Sequence, residues 1–340
     1  NMDITMTTLP FSRKALSIAI LTTLLAACGG GSSDSGTSNT TPAVTEGTIT
    51  GTAVKGLLQQ ALVTAYKITS DGKKGEKLTE TTTTDNGEYT LKVTGYSGAV
   101  LLEMASNPNT KMLCDIPAGC DGTPFNGAVP ISGLTLQTVL PELKASNKTA
   151  ITPFTHLAAQ YAAKNGLNKS NIEAALTQIA DLFGLPALNE TNAINPSGDL
   201  SSATQAEQQY AVMNAAIAQL AGKVADIAAK LNALSIEINS KNGQLQSSEV
   251  SGKNDRLDLG DVLAAAKAVA TSSSIHGLKA EIKTIVDLQL ANANNTQADT
   301  QVTPSTGAGL NDLGKDKAFI NSASLLLTTL QQYDDQSFLD

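Results

Sequence analysis

At 340 residues the chain is long enough for one large or two ordinary domains, and a hydrophobic fraction of 41% allows it to bury a core. A formal charge of -8 leaves no basic footprint, which excludes nucleic acid and anionic lipid headgroups as partners. Aromatic residues make up only 4% and Trp is absent, a composition that fits thin, alanine-lined helix contacts better than an aromatic sugar-binding cleft.

The first element is an address. Read from Met6, a short polar stretch carries Arg13 and Lys14, an apolar run fills residues 15–25, and Ala26, Ala27 and Cys28 follow. A spanning helix needs about 20 apolar residues, so this run is too short to cross a bilayer and reads as the centre of a cleavable signal peptide. The quartet Leu25-Ala26-Ala27-Cys28 resembles the bacterial lipobox. The resemblance implies that residues 1–27 are removed and that the Cys28 thiol is lipidated, with acyl chains contributing about 0.8 kcal/mol per buried methylene to a membrane anchor. An ordinary secretory signal with a chance cysteine is the alternative. Gly29 stands where lipoproteins retained at the inner membrane carry Asp, so the expected location is the cell envelope, at the outer membrane, with exposure at the cell surface as a further expectation. Residues 28–45 are mostly Gly, Ser, Thr and Asn and read as a lipidated flexible tether, with a coil span of about 20 Å.

Residues 46–105 are written for strands. Short β-favouring runs at residues 47–54, 61–66, 80–84 and 98–104 are bounded by Gly, Asp and Asn, which predicts a β-sandwich. Asp85-Asn86-Gly87 predicts a tight hairpin, followed by Tyr89-Thr90-Leu91-Lys92-Val93 alternating inward and outward. Gly56, then Ala61-x-Val63-x-x-Tyr66, then Thr84-Asp85-Asn86-Gly87-Glu88-Tyr89-x-Leu91 resemble the prealbumin-like, carboxypeptidase-regulatory-like sandwich. The resemblance covers this segment alone and implies a rigid, non-catalytic spacer or binding platform. Asp71, Asp85, Asn86 and Glu88 invite a calcium reading, but their spacing is not that of an EF-hand loop and turn chemistry accounts for them.

Residues 106–150 form a connector in which residues 134–143 add strands. With Cys28 taken by lipid, Cys114 and Cys120 are an even remainder in an exported chain, which predicts a disulfide contributing about 2 kcal/mol in the chain-entropy account. A redox pair would have two residues between the thiols, and zinc would require more ligands nearby.

Residues 151–340 predict an all-α helical bundle. Thr152-Pro153 opens a helix that Gly166 closes; Ser170-Asn171-Ile172-Glu173 reads as a capping box, with Gly184 and Pro186 stopping the helix that follows. The longest helix is expected over residues 202–238, where Tyr210, Met213, Ile217, Leu220, Val224, Ile227, Leu231, Leu234 and Ile238 keep spacings of three and four. That seam suits either a homo-oligomeric coiled coil or the central helix of an intramolecular bundle; the other amphipathic segments favour the bundle and a monomer. Further helices are expected over residues 258–271, 275–293 and 317–331. Residues 150–158, Ala-Ile-Thr-Pro-Phe-Thr-His-Leu-Ala, resemble an element that starts the helical region in a loose group of uncharacterised proteobacterial lipoproteins; it brings no activity with it.

The expected class is therefore α+β and multidomain, a small prealbumin-like sandwich followed by an all-α bundle. No catalytic constellation is evident. The only histidines are His156 and His276; Thr155 beside His156 lacks a nucleophile signature, and Asp258 and Asp261, next to Asp255, read as a helix start. The expectation is a non-catalytic binding, adhesion or structural module without cofactor or metal, its partners being the membrane through its lipid and a protein or small molecule of unknown identity. A ligand-binding lipoprotein with a pocket in the bundle and an envelope hydrolase are the alternatives.

Overall fold

A computed structural model of the chain describes residues 46–248, 256–295 and 301–302. The lipobox-like quartet with Cys28, the expected tether, Asp255 and the helix expected over residues 317–331 lie outside these residues.

Strands dominate the first hundred described residues because β-branched and aromatic side chains alternate there between turn residues. In chain order they are β1 (Glu46–Thr52), β2 (Leu58–Gln59), β3 (Leu62–Ile68), β4 (Lys74–Thr82), β5 (Glu88–Thr94), β6 (Val100–Ala105), β7 (Lys111–Leu113), β8 (Ala128–Pro130), β9 (Thr135–Leu140) and β10 (Ser146–Lys148). An antiparallel sheet has the order β4-β3-β6-β9, and a second sheet has the order β10-β1-β5, with β1 antiparallel to β5 and parallel to β10. A smaller antiparallel sheet has the order β2-β7-β8. Strands from the connector thus complete both larger sheets: Leu136 pairs with Met104 in register, and Asn147 with Ile49.

The burial of these strands follows from what covers them. Along β5, Tyr89, Leu91 and Val93 are buried while Glu88, Thr90, Lys92 and Thr94 are exposed, the period of a sheet with one wet face. In β6 the neighbours Leu101 and Leu102 are both buried although they point to opposite faces, so the four-stranded sheet is covered on both sides at this strand. The turn at residues 84–88 corrects one expectation. Gly87 has positive φ and its N–H donates to the Thr84 carbonyl, but β4 and β5 belong to different sheets, so the turn carries the chain from one sheet to the other and does not close a hairpin.

The helices are α1 (Pro153–Lys164), α2 (Lys169–Leu182), α3 (Gln205–Ala221), α4 (Ile227–Ser240), α5 (Leu259–Ala270) and α6 (Ala280–Asn295). Thr152 caps α1 in a box with Thr155, Thr204 caps α3 with Glu207, and Asp258 caps α5 with Asp261. The cap of α2 is Asn168, whose Oδ1 accepts from Asn171 N–H at 3.0 Å, not Ser170; an extended Asn two residues upstream captures the free N–H first.

The single helix expected over residues 202–238 is two. Gly222 adopts a left-handed conformation at φ 74°, Lys223 is extended, and a short 3-10 turn, Val224–Asp226, leads into α4. The three-and-four spacing survives the break because both halves face the same interior: Tyr210, Met213 and Ile217 are buried in α3, and Ile227, Leu231, Leu234 and Ile238 in α4. Helix α3 is buried nearly all round from Tyr210 to Ala218, the mark of a central helix, and its alanines let α5 approach. A coiled-coil seam for a second copy is therefore not presented by these residues, which the chain itself covers.

Helix α1 packs on β9, so the strand and helix parts are not separately packed. Their buried residues join in one continuous core, and the described residues all fall in one compact unit, Val44–Asp340. The α+β class holds, whereas the separation into sandwich and bundle gives way to a shared interior. The reason is visible in β9, most of whose side chains are buried and against which α1 packs.

Candidate functional site

The outward face of the β10-β1-β5 sheet forms the floor of a trough of about 840 Å³. The strand period places Thr50 and Thr52 of β1, Glu88 and Thr90 of β5 and Lys148 of β10 on this floor, and residues 189–194 form the facing wall. Asn192 in that wall is anchored by donating from Nδ2 to Glu207 Oε1 at 2.8 Å. The Thr204 N–H and then the Asn192 amide hold the Glu207 carboxyl below the usual carboxylate range, so it stays ionised as the N-terminal charge of α3. Beneath the floor, the Tyr89 hydroxyl donates to the Thr149 carbonyl at 2.6 Å, and burial pushes its phenol well above the ordinary value. The trough offers hydroxyls, amides, the Glu88 and Glu190 carboxylates and the Lys148 ammonium. Its lining has no imidazole or thiol. That chemistry can hold a polar ligand by hydrogen bonds.

A second, smaller depression of about 300 Å³ holds His156, with Gln137, Gln160 and residues of α4 around it. Burial lowers the His156 pKa from 6.5 to about 4, partly opposed by the charge of Glu103. Gln160 donates to Gln137 Oε1 at 2.7 Å, Gln137 donates to Glu103 Oε2 at 2.8 Å, and Lys74 donates to both oxygens of Glu103. His156 Nδ1 is buried and has no hydrogen-bond partner. Thr155 is no nucleophile for it: the hydroxyl accepts from Thr152 N–H at 2.9 Å and its own proton serves the Gln137 or Thr152 carbonyl. His276 sits on another segment, in an isolated bridge with Asp199, and its carbonyl accepts from Leu200 N–H.

The scattered carboxylates have structural employment. Asp258 and Asp261 exchange hydrogen bonds with each other's backbone N–H at 2.9 and 3.0 Å. Asp71 pairs with Lys73 at 2.9 Å, and Asp85 accepts from the Gln60 amide at 2.9 Å. Among the described residues no group of three or more His, Cys, Asp or Glu is placed to hold a metal.

Cys114 and Cys120 are joined as a disulfide, both fully buried, with 5.7 Å between Cα atoms. Directly beside it lies a pair that the sequence reading did not single out. Lys55 and Asp115 have no exposed surface, and Lys55 Nζ donates to Asp115 Oδ2 at 2.7 Å and Oδ1 at 3.0 Å. The available signal was a lone Lys in the apolar run Ala53-Val54-Lys55-Gly56-Leu57 and an Asp next to a cysteine of the expected disulfide. The trough, by contrast, draws on β1, β5, β10 and residues 189–194 and had no local signal.

Comparison of the chain with protein-family models, with curated proteins and with solved structures finds no match.

Proposed function

We infer that this is a lipid-anchored cell-envelope protein, held by Cys28 and without catalytic activity, whose folded unit serves as a binding, adhesion or structural interaction module. The observation that supports it most directly is the buried Cys114–Cys120 disulfide, a bond that persists in oxidising compartments and agrees with an exported chain. The lipobox-like quartet supplies the anchor. No described helix is long and apolar enough to cross a membrane, which has no bearing on lipid anchoring.

Within this reading the four-stranded and three-stranded sheets are a prealbumin-like sandwich elaborated by strands from the connector, and the helices buttress its second face. The trough is the contact surface, so a ligand sits against the outer sheet face and not inside the helices. Its polar lining suits a hydrogen-bonding partner such as an extended polar peptide or polymer more than an apolar molecule.

Metabolic labelling with a palmitate analogue tests the anchor. Wild-type protein is expected to take up label and remain with the membrane fraction, and Cys28→Ala to lose both. Label on the Cys28→Ala protein, or none on the wild type, overturns the assignment. Protease treatment of intact cells then separates surface exposure from the inward-facing leaflet.

A further inference from the structure

Lys55 lies in the turn between β1 and β2, and Asp115 follows the first cysteine of the disulfide loop. They are brought together by backbone bonds from three sides: Val54 N–H to the Ile151 carbonyl at 2.9 Å, Leu113 N–H to the Leu57 carbonyl at 3.0 Å, and Cys114 N–H to the Gly127 carbonyl at 2.8 Å. Gly56 N–H donates to Asp115 Oδ2 at 2.8 Å. Only glycine fits there, since its φ is +56° and a Cβ would collide with the Leu113 carbonyl. A primary amine, a carboxyl group and a hydrogen-bond donor on one carboxyl oxygen are thus held in contact in a site closed to water.

We propose that Lys55 and Asp115 condense into an intramolecular amide, a covalent crosslink between the β1–β2 corner and the disulfide loop. A proton passes from the ammonium to Oδ1, giving a neutral amine and a carboxylic acid. The Nζ lone pair attacks Cγ, and the negative charge that develops on Oδ2 is met by the Gly56 N–H. A second proton moves from Nζ to Oδ1, the Cγ–Oδ1 bond breaks, and one water leaves. The Nζ–Cγ amide remains, with Oδ2 as its carbonyl oxygen still accepting from Gly56. No oxidant or outside reactant is required.

Three features favour this over a lasting ion pair. An isolated charge pair in a dry interior carries a large desolvation cost that a neutral amide avoids. Burial, the leading influence on both groups, pushes the amine pKa down and the carboxyl pKa up, towards the forms that react, against the attraction between them. The fixed geometry replaces a chance encounter by a held one, the condition under which intramolecular condensation outruns its bimolecular counterpart. The product is a loop closed between residues 60 apart in sequence that no reductant opens, next to the loop closed between residues 6 apart that one does.

The test is a peptide map of the full chain purified from the cell envelope, denatured, reduced, alkylated and digested with trypsin. The expected result is a branched peptide joining Lys55 to Asp115, lighter than its two parts by one water, and loss of cleavage after Lys55. A linear peptide ending at Lys55 in full yield overturns the proposal. Lys55→Arg keeps the positive charge but lacks the amine: it is expected to lose the branched peptide and to run more slowly than wild type in a reducing, denaturing gel. Equal migration of the two also overturns it. Should Lys55→Arg fail to fold, the wild-type map still decides.

Discussion

His156 offers a sharp test of how the helical and strand parts share an interior. Its ring is held between β9 and α4, with Nδ1 buried and unpartnered, and burial lowers its pKa from 6.5 to about 4. The unfolded chain therefore takes up a proton on this ring at a higher pH than the folded chain does, and stability falls as protons are added between the two values. The contribution is fully present above about 6.5, declines as pH drops, and is gone below about 4; the gap corresponds to about 2–3 kcal/mol after discounting the open side of the depression. In His156→Gln, which cannot titrate, this component disappears. Urea unfolding of both proteins across the mildly acidic range should show the wild type losing stability relative to the variant, with more than half of the difference developed by about pH 5. Carboxylates that titrate in the same window contribute equally to both chains and cancel. Parallel pH profiles would refute the claim that folding buries this ring in its neutral form.

Three further outcomes follow from named contacts. Replacing Cys114 and Cys120 together by Ser should cost about 2 kcal/mol in unfolding experiments, the chain-entropy value for so short a loop, and the wild type under reductant should lose the same amount. Tyr210→Phe removes the hydroxyl that meets Thr152 Oγ1 at 2.7 Å at the buried start of α1, and a loss of about 1 kcal/mol in thermal or chemical unfolding is expected. Gly222→Ala distinguishes a required break from an incidental one: with φ at 74° the variant should be destabilised by about 1 kcal/mol, whereas a continuous helix through this position would gain stability from alanine.

What the sequence determined by itself was whatever a few neighbouring residues decide. The hydroxyl and proline at Thr152-Pro153, the Asp258 and Asp261 pair, and the alternation of Tyr89, Leu91 and Val93 each act through bonds or periodicity within one turn or one strand, and the structure contains each of them. The Cys114–Cys120 bond also belongs here, because its loop is too short to leave much choice of partner. Tertiary structure decided the rest. The apolar seam over residues 202–238 fits one helix or two, and a single left-handed glycine at the end of α3, with both halves packed on a shared core, selects two. β10 could not be assigned to β1 in parallel from its own three residues, nor could residues 189–194 be set opposite Lys148 to form the trough. The Lys55–Asp115 pair is the clearest case: the two lie sixty residues apart, and no local pattern joins one to the other. Only long-range packing removes the water from both, and charge burial is a property of the closed core that no short stretch of sequence carries.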